Sequence, residues 1–226
     1  MRTLLAAVAL SAAPLVASHA MAAPVSAAPS KPLDRLVALL TPEDALLKIG
    51  EKAFDNGIRR EIAADPELKA IQAKHRGLTQ FVAVQLRPAF VKMMKKELPS
   101  LRREIRTVAA DGLTASEVAE SLSFFSSPTG AKLRTQVYAT MAEKPDMSPD
   151  QIQSAVMSKV MASMKVGDYP PLIAFGASSA ASKMKTINPQ IAAASKVWSE
   201  KLLAKYSKRM RGLAASAAKR YLKGKK

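Results

Sequence analysis

The stretch "SFFSSPTGAKL", residues 123–133, interrupts an apolar helical pattern and then lets it resume, and this interruption decides the fold. Ser127 can accept a hydrogen bond from a free amide at the start of a helix. Pro128 loses nothing at the next position, because the amide that it lacks would have no partner there. Gly130 is small enough to let the preceding helix approach closely. We therefore predict a helix-turn-helix corner at Ser127-Pro128.

Similar pairs of a helix-capping residue and a proline recur along the chain. Four further pairs of a capping residue and a proline each predict the start of a helix: Thr41-Pro42, Asp65-Pro66, Ser148-Pro149 and Asn188-Pro189. Thr114 and Glu117 have the spacing of a capping box. Between these marks, apolar residues recur every three or four positions, which is typical of amphipathic helices. Interior prolines predict a kink at Pro88 and a break near Pro99.

These patterns predict an all-α protein, a multi-helix bundle of roughly seven to nine capped helices that ends in a long basic amphipathic helix.

The N-terminus has the parts of a signal peptide: Arg2, a short apolar run over residues 4–16, and the small residues around Ala22. That run is too short to span a bilayer. We assign residues 1–22 to a signal peptide, 23–32 to a flexible tether, 33–195 to the helical domain, and 196–226 to the basic C-terminal amphipathic helix and tail. A periplasmic or secreted protein is expected.

Residues 113–133, "LTASEVAESLSFFSSPTGAKL", resemble the signature of a bacterial family known as domain of unknown function 2059. The matching positions are Thr114, Glu117, Phe124, Ser127, Pro128, Gly130, Lys132 and Leu133. Phe125 stands where the family usually has tyrosine, and Ser121 stands where an apolar residue is usual. The resemblance implies an exported, all-helical protein of the bacterial envelope. It transfers no catalytic residue, because the activity of the family is not established.

A second stretch of the chain is weakly similar to the corner. An offset of 51 residues pairs Phe124 with Phe175 and Ser127 with Ser178. The second copy lacks the proline and the glycine, so we expect it to turn differently. An internal duplication and a chance similarity between helices rich in alanine and serine both account for the match.

The positive charge is concentrated at the C-terminus. The formal net charge is +17, and the residues from Lys196 onward contribute eleven basic side chains against Glu200 alone. Apolar residues recur there every three or four positions, so a basic amphipathic helix of the kind that lies on membranes is predicted. The candidate residues for binding an anionic surface are Lys201, Lys205, Lys208, Arg209, Lys219, Arg220 and Lys223, and the candidate interfacial aromatic residues are Trp198, Tyr206 and Tyr221. In the alternative interpretation, the apolar stripe docks on the protein's own core and the lysines solvate it.

Signals for catalysis and metal binding are sparse. The chain has no cysteine, and His75 is the one histidine after the predicted signal peptide, so zinc or haem sites built from these residues are excluded. We predict no cofactor, no metal and no catalytic residue. The leading hypothesis is a non-enzymatic, envelope-associated binding protein whose partner is an anionic lipid, lipopolysaccharide or an acidic protein. An enzyme with a carboxylate- or Ser-based site is the alternative. A nucleic-acid-binding protein is the third hypothesis, and it requires that the N-terminus is not cleaved.

Overall fold

The structure, a computed structural model, describes residues 30–144 and 149–224. The predicted signal peptide, most of the predicted tether and the predicted cap Ser148 lie outside the described residues. Within them, the chain forms nine α-helices and one 3-10 helix and no strand, so the predicted all-α bundle is confirmed. The α-helices are α1 (Ser30–Leu40), α2 (Glu43–Ala64), α3 (Pro66–Lys74), α4 (Leu78–Gly112), α5 (Ala115–Ser126), α6 (Pro128–Glu143), α7 (Pro149–Ser163), α8 (Tyr169–Gly176) and α9 (Ser179–Lys223), and the 3-10 helix is Val166–Asp168.

Helices α4 and α9 pack along each other in antiparallel directions and form the most extensive contact in the bundle. Trp198 of α9 lies beside Ser100 of α4, and further along Tyr221 of α9 packs against Phe81. Helix α9 has 45 residues, which corresponds to a length of about 67 Å at the usual rise of an α-helix. The pair therefore forms the long axis of the molecule, and α1, α2 and α5 pack against it.

The core is continuous from α1 to α9. Leu36 of α1, Phe90 and Leu101 of α4, Val118 of α5 and Met210 of α9 all belong to one cluster of buried apolar side chains. Phe54 of α2 stacks on Phe90 with ring centroids 4.7 Å apart. Because the chain has no disulfide to restrain it, burial of this apolar surface supplies the main stabilising free energy.

The predicted corner between α5 and α6 is confirmed. The hydroxyl of Ser127 accepts a hydrogen bond from the amide of Gly130 at 3.1 Å, and Pro128 is the first residue of α6. A Cβ atom on Gly130 would lie 2.1 Å from the carbonyl oxygen of Phe124. No side chain fits there, so glycine is what allows α5 and α6 to meet so closely.

The second match to the corner shares part of the hydrogen bonding of the first. Between α8 and α9, the amide of Ser178 donates to the carbonyl of Phe175 at 2.9 Å, and the hydroxyl of Ser178 accepts from the amide of Ala181 at 3.1 Å. At the first corner, the equivalent bond from the amide of Ser127 to the carbonyl of Phe124 measures 3.0 Å. The serine cap provides the hydrogen bonds that both corners share. The corners differ because the hydroxyl of Ser127 also donates to the carbonyl of Phe124 at 2.7 Å, and because Ala177 lies between the end of α8 and Ser178, whereas α5 ends directly at Ser127.

One predicted cap and one predicted helix start are wrong. Helix α2 does begin beside Thr41-Pro42, at Glu43. Thr41 does not cap α2, because its hydroxyl donates back to the carbonyl of Val37 at 2.7 Å and accepts from Arg102 at 3.2 Å. Asn188-Pro189 starts no helix, since α9 runs through Pro189 from Ser179 onward. By contrast, Asp65 caps α3 as predicted, with its carboxylate accepting from two amides of the first turn.

The break predicted near Pro99 is also wrong, because α4 continues through both Pro88 and Pro99. An interior proline leaves the carbonyl four residues earlier without its helical partner. Pro99 and Pro189 are both exposed, so the freed carbonyls can be hydrated. Buried residues on either side of each proline, such as Leu98 and Ile187, hold both helices against the bundle.

The predicted segment boundaries do not coincide with helix ends. Helix α1 begins at Ser30, within the segment predicted to be the tether, and residues 196–226 begin in the middle of α9. The basic C-terminal segment is therefore the continuation of a helix that is already part of the bundle.

Candidate anionic-surface interface

The aromatic side chains predicted to face a membrane lie between helices. Trp198 is 8% exposed, and its indole N–H donates to the hydroxyl of Ser100 at 3.0 Å and to the carbonyl of Glu97 at 3.2 Å. Leu202 and Met210 are buried on the same side of α9. This part of the apolar stripe is thus occupied by α4, which favours the interpretation that the stripe docks on the protein's own core.

Glu97 fixes two further residues of α9. Its Oε1 accepts hydrogen bonds from Lys205 Nζ at 2.7 Å and from the hydroxyl of Tyr206 at 2.6 Å. These bonds, the one from Lys205 first, hold the pKa of Glu97 below its usual range, and the same contact raises the pKa values of Lys205 and Tyr206. Lys205 also lies over the Tyr206 ring, 5.5 Å from its centroid. Both residues therefore serve the contact between α4 and α9.

The end of α9 is held in a similar way. Tyr221 packs on Phe81 with ring centroids 5.4 Å apart, and its hydroxyl donates to the carbonyl of Arg76. Arg220 donates to Gln85 at 3.3 Å. Lys201, nearer the middle of the helix, lies 3.6 Å from Glu104 in an exposed ion pair. Of the ten residues predicted to bind a surface, six thus have partners within the bundle.

The other four form what we call the outer basic face: Lys208, Arg209, Lys219 and Lys223. All four are exposed, and none has a carboxylate partner among residues 30–144 and 149–224. Lys208 and Lys219 are eleven residues apart, close to three turns, so they point to the same side of the helix. The part of α4 that faces this end of α9 carries no acidic residue before Glu97. The outer basic face is therefore a positive surface without a carboxylate partner among the described residues, on a helix whose opposite side packs against α4.

The residues of the family resemblance have structural contacts. Thr114 and Glu117 form the predicted capping box, with the Thr114 amide donating to Glu117 Oε2 at 2.8 Å. Phe124 and Phe125 are buried, and Phe124 stacks on Phe175 of α8 with centroids 4.0 Å apart. Leu133, another residue of the motif, is partly buried and packs against the main cluster.

Lys132 has a partner that the sequence did not indicate. Asp168, in the 3-10 helix, accepts from Lys132 Nζ at 2.6 Å, from the amide of Lys165 at 2.9 Å and from the hydroxyl of Thr129 at 3.1 Å. Lys132 first, and then the other two donors, hold the pKa of Asp168 below its usual range. The Asp168 carboxylate is thereby committed to joining α6 to the segment before α8. No periodicity or short motif pairs residues 36 positions apart, which is why this contact could not be predicted.

An open groove of about 460 Å³ lies between α2 and α4. Its lining combines Glu51 with the cations Arg87, Lys92 and Lys95 and the apolar residues Pro88 and Val91. Arg87 is engaged by Asp55, and Lys95 lies 3.5 Å from Glu43. None of these described lining residues is a serine or a histidine, so this lining contains no Ser–His pair.

Among the described residues, no three or more His, Cys, Asp or Glu side chains are grouped to hold a metal ion. No helix in the described part of the chain combines the length and the apolar character needed to cross a membrane. The sequence matches no protein-family model, and no curated protein and no solved structure is significantly similar to it.

Proposed function

We propose that this protein is an exported, non-enzymatic binding protein that uses the outer basic face of α9 to associate with anionic surfaces of the cell envelope. Anionic lipid, lipopolysaccharide and acidic protein partners share the phosphate and carboxylate groups that such a face attracts. The observation that carries the proposal is the group of four exposed cations without a carboxylate partner among the described residues, on a helix whose other side is held by α4.

The physical basis is electrostatic. A lysine or arginine near an anionic membrane contributes about 1 kcal/mol, so four of them are enough for reversible association. Ions screen this attraction over a distance of about 10 Å at moderate ionic strength. Binding is therefore expected to weaken with added salt. The aromatic residues Trp198, Tyr206 and Tyr221 take no part, because inserting them into lipid would require α9 to separate from α4.

The test compares two triple variants in co-sedimentation with phosphatidylglycerol vesicles. Lys208→Glu, Lys219→Glu and Lys223→Glu together reverse charges on the outer basic face. The control reverses three exposed lysines elsewhere: Lys52→Glu, Lys69→Glu and Lys144→Glu. Each triple variant lowers the formal net charge of +17 by six, so a nonspecific effect of charge would be equal in the two.

We expect the α9 variant to lose at least tenfold in binding, and the control to bind nearly as well as the wild type. Equal losses would show that overall charge rather than the outer basic face drives association, and would refute the proposal. Far-ultraviolet circular dichroism of all three proteins checks that the helices are retained. The assignments to the cell envelope and to the family named above stay predictions that this experiment does not address.

A further inference from the structure

Helix α8 and the 3-10 helix before it expose an apolar surface that the bundle does not use. We call it the outer α8 face: Val166, Pro170, Ile173, Ala174 and Ala177. All five residues are exposed, Val166 by 88% and Ile173 by 67%. Their spacings of four, three, one and three residues place them on one side of a helical segment. A short helix that is apolar on every side is typical of a buried position, and here one side is uncovered.

The opposite side of α8 is anchored in the bundle. Phe175 stacks on Phe124 and meets Phe125 with ring centroids 5.5 Å apart. Asp168, which immediately precedes α8, is fixed by Thr129, Lys132 and the amide of Lys165. The outer α8 face therefore cannot turn inward to bury itself. Any cover for this face has to come from outside the described bundle.

The charges around this face indicate what covers it. Lys165 and Lys183 flank α8 in sequence and are both exposed, whereas the carboxylates next to this corner are engaged, Asp168 by Lys132 and Glu120 by the amide of Ala180. In a two-fold contact between two copies, the same lysines would meet each other, and like charges oppose such a contact. An anionic bilayer is favoured by the same lysines, accepts an apolar surface of any shape, and accommodates small and branched side chains at its interface.

We propose that the outer α8 face inserts into the interfacial region of a lipid bilayer. This goes beyond the electrostatic association proposed for α9, because it assigns an apolar contact to a different element. The aromatic residues of α9 cannot enter the membrane while they pack on α4. In this proposal α8 supplies the apolar contact with lipid instead. Lys165 and Lys183 then lie at the level of the lipid headgroups, beside the inserted residues.

Because the chain contains no cysteine, a single introduced cysteine can carry an environment-sensitive nitrobenzoxadiazole label. The reporter is Ile173→Cys. Ala63→Cys, at the exposed end of α2, is the matched control, and Ser216→Cys reports on the exposed side of α9. The labelled proteins are mixed with phosphatidylglycerol vesicles, phosphatidylcholine vesicles, and both kinds containing lipids with a nitroxide on the acyl chain.

We expect the label at position 173 to shift to shorter wavelength with phosphatidylglycerol vesicles and to be quenched severalfold by the acyl-chain nitroxide. The label at position 63 should show neither effect, and the label at position 216, on the side of α9 proposed to meet the headgroups, should not be quenched by the acyl-chain nitroxide. A protein that co-sediments while the label at position 173 stays unquenched refutes insertion and leaves the proposal for α9 intact. A shift that appears without vesicles and grows with protein concentration would identify a second copy as the cover and also refute insertion.

The two proposals are separated by placing Ile173→Cys in the Lys208→Glu, Lys219→Glu, Lys223→Glu variant. If that variant binds as well as the wild type and its label is quenched, the proposal for α9 fails and insertion of α8 stands. If the wild type binds neither kind of vesicle, both proposals are overturned. Ile173→Asp, at an exposed position, should lower binding about tenfold without affecting the fold.

Discussion

Gly130 lies where α5 and α6 meet, and its hydrogen atom points at the backbone of the preceding helix. Replacing it with alanine would bring a Cβ atom to 2.1 Å from the carbonyl oxygen of Phe124, which cannot move without shifting α5. We expect Gly130→Ala to lower the free energy of unfolding by about 3 kcal/mol. Gly212→Ala is the control, because nothing lies within 4 Å of its Cβ position on α9, and it should be neutral or stabilising by up to about 1 kcal/mol. Urea denaturation of both variants measures the difference, and equal effects would contradict the close approach.

Ser121 is a buried polar residue in the middle of α5. It is fully buried, and its hydroxyl has no hydrogen-bond partner in the described part of the chain. Alanine at this position removes the unpaired hydroxyl and keeps the helix, so we expect Ser121→Ala to stabilise the protein by about 1 kcal/mol. Ser123→Ala, on the exposed side of the same helix, controls for the gain in helix propensity. A destabilised Ser121→Ala variant would show that the hydroxyl has a partner.

Glu97 makes stability depend on pH in the acidic range. Its pKa is lowered in the folded protein by Lys205 and Tyr206, so the unfolded chain takes up a proton at higher pH than the folded one does. The free energy of unfolding must then fall as the pH drops below the ordinary glutamate value, about 4.3, towards the lower pKa of the folded state. Asp168, whose pKa is also lowered, adds to the same trend.

Urea denaturation between about pH 7 and about pH 3 tests this dependence. Glu97→Gln should reduce stability at neutral pH by about 1 kcal/mol and lose less of it on acidification than the wild type. Asp111→Asn, on the exposed end of α4, is the control. Parallel curves for the wild type and Glu97→Gln would contradict the assigned hydrogen bonds.

At the scale of the helices, α9 is a core element as well as a basic one. A chain that ends at Ser195 lacks Trp198, Leu202 and Met210, which are all buried. Truncation of one such side chain costs about 2–5 kcal/mol, and a domain is stable by only about 5–15 kcal/mol. We expect the truncated protein to show no cooperative thermal transition, whereas a chain that ends at Lys223 should keep the melting temperature of the wild type. A folded truncation would show that the contact between α4 and α9 contributes little.

The helix starts show what local sequence can predict. Asp65 and Ser127 cap helices as predicted, because the chain turns at both positions and each side chain is free to reach the next amides. Thr41 is followed by proline in the same way, but its hydroxyl forms hydrogen bonds with Val37 and Arg102, the second of which lies 61 positions away. Asn188-Pro189 starts no new helix, because packing on both sides of the proline holds α9 against the bundle. Helix caps can be predicted from the sequence because they depend on neighbouring residues. The continuation of a helix cannot, because it depends on packing partners that are distant in sequence.

At the scale of the molecule, the candidate site was only partly predictable. The concentration of charge after Lys196 indicated α9 as the basic element, and the periodicity of this helix separated a basic side from an apolar one. The periodicity could not say whether lipid or α4 covers the apolar side, since both interact with the same stripe of side chains. Nor could it indicate the outer α8 face, because Val166 and Ile173 have the composition of core residues and only the packed bundle leaves them exposed.

The whole molecule thus has a long helix that is fixed on one side and positively charged on the other. The most direct test of its proposed role is the partition of the wild-type protein onto phosphatidylglycerol and phosphatidylcholine vesicles at about 0.05 M and about 0.5 M salt. We predict strong binding to phosphatidylglycerol at low salt, at least tenfold weaker binding at high salt, and much weaker binding to phosphatidylcholine. Binding that is equal on both lipids and insensitive to salt, or no binding at all, would contradict a role for the outer basic face of α9.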